Sequence, residues 1–216
     1  MWQLPSRITP VAYMATGPGS AGTSSPLTYT DTIPAGTSCT LMWVFSRGTS
    51  ATPTVSASVG VTAATLMASA ASGSAGAYDF LYCFALLSPP TGSQTINFTT
   101  STGSPKLVVN TCHYANVSSI GTASVSANGS GQPFMSVAPT ATTGIYASGF
   151  MFLPTANGQT FSSYNQNQRY VIASSASNQP LIFGDAQGNG ATLPFSATRS
   201  DTTYQWGGII VPLLRT

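Results

Sequence analysis

Ser38-Cys-Thr-Leu-Met-Trp-Val-Phe-Ser46 is the stretch on which the fold turns. Read with a period of two, Cys39, Leu41, Trp43 and Phe45 fall on one face, and Thr40, Met42 and Val44 on the other. A strand with one wet face alternates apolar with polar. Here both faces are apolar, which predicts a central strand covered on both sides. Tyr78–Leu87 reads the same way, with Phe80, Tyr82, Phe84 and Leu86 alternating with Leu81, Cys83, Ala85 and Leu87 before Pro89-Pro90-Thr-Gly92 stops the run.

Moving outward, Thr95–Thr99 alternates as a half-exposed strand does, and 106–117 is a long strand carrying Leu107, Val109, Ala115 and Val117. Weaker strands are expected at 54–59, 62–69, 134–137, 145–153, 170–174 and 181–183, and 204–214 closes the chain as a further strand, with Pro212 marking a strand end or an edge position. They recur every 10–15 residues, roughly, between Gly, Asn, Pro and Ser clusters, the spacing of antiparallel sandwiches and barrels. No internal repeat is legible. The predicted fold is all-β: one antiparallel, jelly-roll-like β-sandwich of about ten strands spanning 26–216.

Composition agrees. Six Lys+Arg and four Asp+Glu leave 5% of 216 residues charged, against roughly 25% in an ordinary domain. Thirty Ser, 30 Thr, 26 Ala and 21 Gly make up half the chain, and there is no Glu. The usual surface residues of helices are missing, which excludes a helical bundle. Aromatic and β-branched residues are too many for disorder. The cations are scattered, so no nucleic-acid partner is expected. Apolar runs fall far short of the roughly 20 residues of a spanning helix, so no membrane is expected either. The start of the chain lacks a secretory pattern, which suits a chain made and kept in a cytoplasm, or one whose leader has been removed. Cys39, Cys83 and Cys112 read as free, buried thiols.

Residues 1–25 contain three prolines and a Gly/Ser-rich tract without sustained alternation. They read as an extended N-terminal arm and linker. Trp2, Leu4, Ile8, Val11, Tyr13 and Met14 are costly to leave in water, so the arm is expected to dock on a neighbour and to be removable without unfolding the sandwich.

Materials for catalysis are scarce. The four acids are Asp31, Asp79, Asp185 and Asp201, and the single histidine is His113. Asp31 and Asp201, flanked by Thr and Ser, read as solvent-facing, and His113 as a sheet residue bonded to a neighbour. Cys112 precedes His113 on the same strand and so points to the opposite face. No Gly-x-Ser-x-Gly elbow or Cys-x-x-Cys pair occurs. Asp185–Gly190 reads as a turn rather than a calcium loop. No catalytic residue, metal or cofactor is assigned. Phe161–Tyr170 sets amides around aromatic rings, and Tyr164, Asn165, Asn167, Arg169 and Tyr170 are candidate glycan contacts. Tyr204 and Trp206 are expected in the core.

Thr32-Ile-Pro-Ala-Gly-Thr37 leading into Leu41–Phe45, then Leu86-Leu-Ser-Pro-Pro-Thr-Gly-Ser-Gln-Thr-Ile-Asn-Phe98, then His113-Tyr-Ala-Asn-Val-Ser-Ser119, form an ordered set. Over about residues 28–150 this set resembles the β-sandwich domains of minor tail and other virion proteins of phages infecting actinobacteria. The third piece departs from that pattern, which has an aromatic-Gly-Val step where this chain has Tyr114-Ala-Asn-Val117. The resemblance implies a non-enzymatic virion structural protein, a minor tail protein or a capsid decoration protein. It would be made in the host cytoplasm and partnered by other virion proteins, as a homo-oligomer such as a trimer. The alternative is a carbohydrate-binding module or adhesin whose partner is a host-wall glycan.

Overall fold

The computed structural model describes residues 8–48, 52–72, 78–101, 106–139, 141–175 and 179–215. Among these, every regular element is a β-strand, and every strand pairing is antiparallel. The first half of the chain holds β1 (Ala12–Thr16), β2 (Ser20–Gly22), β3 (Leu27–Ile33), β4 (Cys39–Gly48), β5 (Val55–Val59), β6 (Thr62–Ala63), β7 (Thr65–Ala71), β8 (Tyr78–Leu87), β9 (Gly92–Thr100) and β10 (Lys106–Ala115). The second holds β11 (Ser119–Ile120), β12 (Ser124–Gly129), β13 (Phe134–Val137), β14 (Ile145–Phe152), β15 (Phe161–Tyr164), β16 (Asn167–Ile172), β17 (Leu181–Gln187), β18 (Leu193–Arg199) and β19 (Trp206–Leu214).

The expected antiparallel sandwich is present, built from more strands and more layers than the spacing suggested. Four sheets stack face to face. An outer sheet, β3-β9-β5-β6, covers one side of an inner sheet, β1-β10-β4-β8-β7, in which β2 also pairs with β10. The second inner sheet, β11-β19-β14-β17-β16 with β12 on β19, carries the second outer sheet, β13-β18-β15. The two inner sheets pack on each other.

Three apolar layers fill the stack. Leu27, Ile33, Met42, Val44, Phe84, Ile96, Phe98 and Val109 lie between the first two sheets. Leu41, Trp43, Phe45, Leu81, Tyr114, Met151, Phe183 and Val211 form the central layer. Met135, Phe150, Phe152, Phe161, Phe195 and Trp206 fill the third. The doubly apolar pattern of β4 thus has its cause: Leu41, Trp43 and Phe45 enter the central layer while Met42 and Val44 enter the first. Each face buries its side chains in a different core, so neither face is left to be polar.

The two halves share one order of pairing. In the first, β2 pairs with β10, β3 with β9, β4 with β8 and β5 with β6, a nested set. In the second, β12 pairs with β19, β13 with β18 and β14 with β17, nested in the same way. The pairs that close the sheets match as well: β10 with β4 and β9 with β5, then β19 with β14 and β18 with β15. No repeat is legible in the sequence because the halves share burial rather than residues. β14, for instance, is buried along its whole length, as β4 is from Cys39 to Ser46.

The N-terminal segment differs from the expected arm. Within the described residues, β1 and β2 are strands of the first inner sheet, paired with β10 of the same chain. Val11 is buried, and its amide donates to the Thr143 carbonyl at 2.8 Å. Tyr13 and Met14 are half-buried, and Ile8 is exposed. Trp2 and Leu4 lie outside the described residues.

Candidate functional site

Two buried polar networks and two depressions at the seam between the inner sheets bear on function. The first network joins the first outer and inner sheets. On β10, His113 faces β3 and stands opposite Thr40 of β4. Its Nε2 lies 3.0 Å from Asp31 Oδ2, and its Nδ1 lies 3.0 Å from Thr40 Oγ1. Thr111 Oγ1 also donates to Asp31 Oδ2, and Tyr29 OH donates to Thr111 Oγ1 at 3.3 Å. A carboxylate only accepts, so Nε2 carries the proton shared with Asp31. Burial pushes the Asp31 carboxyl up, but the hydrogen bonds from His113 and Thr111 outweigh it and hold the group below its ordinary value.

Asp31 is therefore an interior residue, not the solvent-facing one its Thr neighbours suggest. His113 is bonded to neighbours, as expected, and Cys112 points the other way, into the central layer. Thr40, Thr111 and His113 are fully buried, so a substrate reaches them only if the two sheets part.

The second network lies between the inner sheets. Arg169 of β16 meets Asp185 of β17 through two bonds, Nε to Oδ2 and Nη2 to Oδ1, each 2.9 Å. Tyr114 OH donates to the same carboxylate at 3.1 Å, and the guanidinium lies 3.6 Å from the ring centroid of Tyr13. The Arg169 side chain keeps 22% exposure while Asp185 is buried. Burial lowers the Arg169 pKa, but Asp185, with smaller contributions from Tyr114 and Tyr13, leaves it raised. Asp185 thus lies inside a strand rather than in the expected turn.

The remaining acids are also interior. Asp79 is fully buried and takes a bidentate pair from Arg47, at 2.8 and 3.0 Å. Burial raises its pKa, and Arg47, with a further contribution from the charge of Lys106, offsets only part of that rise. Asp201, expected at the surface, is buried beneath the turn before β19 and accepts from the amides of Thr155 and Thr203 at 3.0 and 2.9 Å. Burial opposes its charge, but those bonds prevail and its pKa falls far below the usual range. All four carboxylates are consumed inside the protein.

Phe161–Tyr170, which carries the candidate glycan contacts, consists of β15, a tight turn and β16. Tyr164 turns inward, where its OH bonds Ser148 Oγ at 2.5 Å. Tyr170 stacks on Phe183 at 5.3 Å, and Phe183 on Trp43 at 5.8 Å. Arg169 is held by Asp185. Asn165 and Asn167 stay exposed, but Asn165 is tied to Ser196 N and Pro194 O of β18. The amides face out, and both rings face in. Trp206 is buried as expected, whereas Tyr204, on the preceding turn, is 37% exposed.

At one end of the seam is an apolar groove of about 470 Å3 lined by Met67, Leu86, Leu87 and Ile120. At the other is a polar depression of about 350 Å3 lined by Arg47, Lys106, Thr155, Asn157, Ser175 and Gln179. Sequence reasoning missed this second site because its residues come from β4, β10 and two connections of the other half. Comparison with protein-family models, with characterised proteins and with solved structures finds no match.

Proposed function

We propose that the chain is a structural protein of a phage virion, a minor tail protein acting through protein–protein contacts, and that each half is a jelly roll. The nested pairing in both halves supports the jelly-roll reading, since that fold is a long antiparallel ribbon wound into two sheets. The resemblance over about residues 28–150 supports the virion reading.

The observation that carries the function is where the charge goes. All four carboxylates are buried, and three of them hold Arg47, His113 or Arg169. What remains outside, among the described residues, is a skin of hydroxyls, amides and scattered apolar side chains with few cations. Freely diffusing proteins stay apart through surface charge of both signs. A skin without carboxylates suits a chain fixed among neighbours, where close contact between copies is wanted.

The test is to isolate particles on a density gradient from the phage that encodes the chain and label them with antibody. Gold on the tail at fixed copy number is the expected result; gold on the head moves the protein to capsid decoration. Particles without the chain would sink the proposal.

A further inference from the structure

We infer that the polar depression at the seam binds an acidic sugar residue, its anionic group held by Lys106 and a hydroxyl by Gln179. The inference is independent of the virion reading.

The site is built from a row of side chains across the end of the first inner sheet. Lys106 of β10 stands opposite Arg47 of β4, and Arg47 opposite Asp79 of β8. Lys106 alternates with Val108 and Cys112, and Asp79 with Leu81 and Cys83, residues that face the central layer. The row therefore ends that layer with charge. Arg47 is neutralised by Asp79, its bidentate partner. Lys106 makes no ion pair with any described residue, so the row presents one surplus positive charge.

From the second half, Thr155 and Asn157 on the connection after β14, and Ser175 and Gln179 on the connection before β17, close the other side. Gln179 is the informative one. It is only 2% exposed, lines the depression, and its Oε1 has no hydrogen-bond partner. Buried polar atoms without a partner are rare, and each calls for a reason. A ligand hydroxyl supplies one, because it can donate to Oε1 and, if the amide is turned over, accept from the nitrogen.

The lining thus asks for one anionic group and one or more hydroxyls within a small volume. About 350 Å3 lies at the small end of ligand sites, roughly 300–1,000 Å3, which suits one or two sugar units. A neutral sugar leaves Lys106 unused, and a bare carboxylate brings no donor for Gln179 Oε1. A sugar bearing a carboxylate or a phosphate satisfies both.

The full chain is titrated by calorimetry with D-glucuronate, glucose 6-phosphate, D-glucose and inorganic phosphate. At least one of the two acidic sugars is expected to bind, and which of them binds identifies the anion. Glucose and phosphate alone should bind about tenfold more weakly, the loss expected for one charge-assisted bond. Lys106→Gln should weaken the acidic sugar about tenfold while leaving glucose unchanged. Gln179→Leu removes an unsatisfied buried atom, so it should fold at least as well as the parent, yet lose the acidic sugar. Failure of both acidic sugars to bind, equal binding of glucose, or unaltered affinity in both variants would overturn the inference.

Discussion

The indole of Trp43 rests on the bare backbone of Gly149: a Cβ added at Gly149 would lie 2.7 Å from the Trp43 ring. The two residues belong to opposite halves, on β4 and β14, and their contact lets the inner sheets close. Any side chain at Gly149 must displace the ring, which also stacks on Phe183. Gly149→Ala is therefore expected to cost about 1–3 kcal/mol by overpacking, measured by urea denaturation. Trp43 Nε1 is buried without a partner, so Trp43→Phe should cost less than the roughly 3–5 kcal/mol of a ring deletion. It should also rescue part of the Gly149→Ala loss.

The Asp31–His113 network sets an acid limb. Asp31 and Asp201 have folded pKa values held below the ordinary 3.8. Their stabilisation is full above that value and is lost as pH falls through their depressed folded values. Asp79 is raised and works in the opposite sense, the folded state gaining as it protonates. Urea midpoints should fall between pH 5 and pH 2, roughly, and Asp31→Asn should flatten that fall while costing about 2 kcal/mol at neutral pH. An unchanged slope in Asp31→Asn would remove Asp31 from the account.

Removing Arg169 strands Asp185 with Tyr114 as its main support. Arg169→Met should cost about 3 kcal/mol, the low end for breaking a buried pair because the arginine keeps some solvent. Combining it with Asp185→Leu should recover part of that loss, since the carboxylate that needed a partner is gone. A double variant as unstable as the sum of the singles would show that the pair acts independently.

Cys39, Cys83 and Cys112 are free and buried in the central layer. Burial pushes the Cys39 and Cys112 thiols up to about 12, and Cys83 higher than its ordinary value. The reactive thiolate is thus suppressed. A thiol reagent should label none of the three in the native protein at pH 8, about the pKa of a free thiol, and all three in denaturant.

Residues 12–22 are part of the fold, through β1 and β2 on β10. Gly17 packs so closely that a Cβ there would lie 2.2 Å from Thr111 Oγ1 and 2.5 Å from Asp31 Oδ2. Deleting residues 1–25 strips the β10 edge, removes the buried Val11 from the central layer and uncovers the Asp31 network. The loss should reach at least about 3 kcal/mol, seen as a lower melting temperature. Equal melting would restore the removable arm.

What could be read from the sequence follows from layer position. The inner strands β4, β8, β10 and β19 announce themselves as long apolar runs, and β8 begins and ends where the pattern placed it, at Tyr78 and Leu87. Outer and edge strands were harder. β15 is four residues long and half serine, β18 carries Pro194, and β1 and β2 sit among Gly and Pro. Their strand state comes from partners elsewhere in the chain. The same holds for the networks: Asp31 looks like a surface residue beside Thr30 and Thr32, and its burial is decided by His113, 82 positions away.

Two ribbons with one order of pairing give every strand a second place where its hydrogen bonds could close. Tandem units of like topology misassemble by such exchanges. β4 brings Trp43 and Phe45 to the central layer where β14 brings Ala147 and Gly149, so a swap would set bulk against bulk in one half and open a void in the other. The difference in side chains between the halves thus acts as proofreading, keeping each nascent strand in the sheet it was made for.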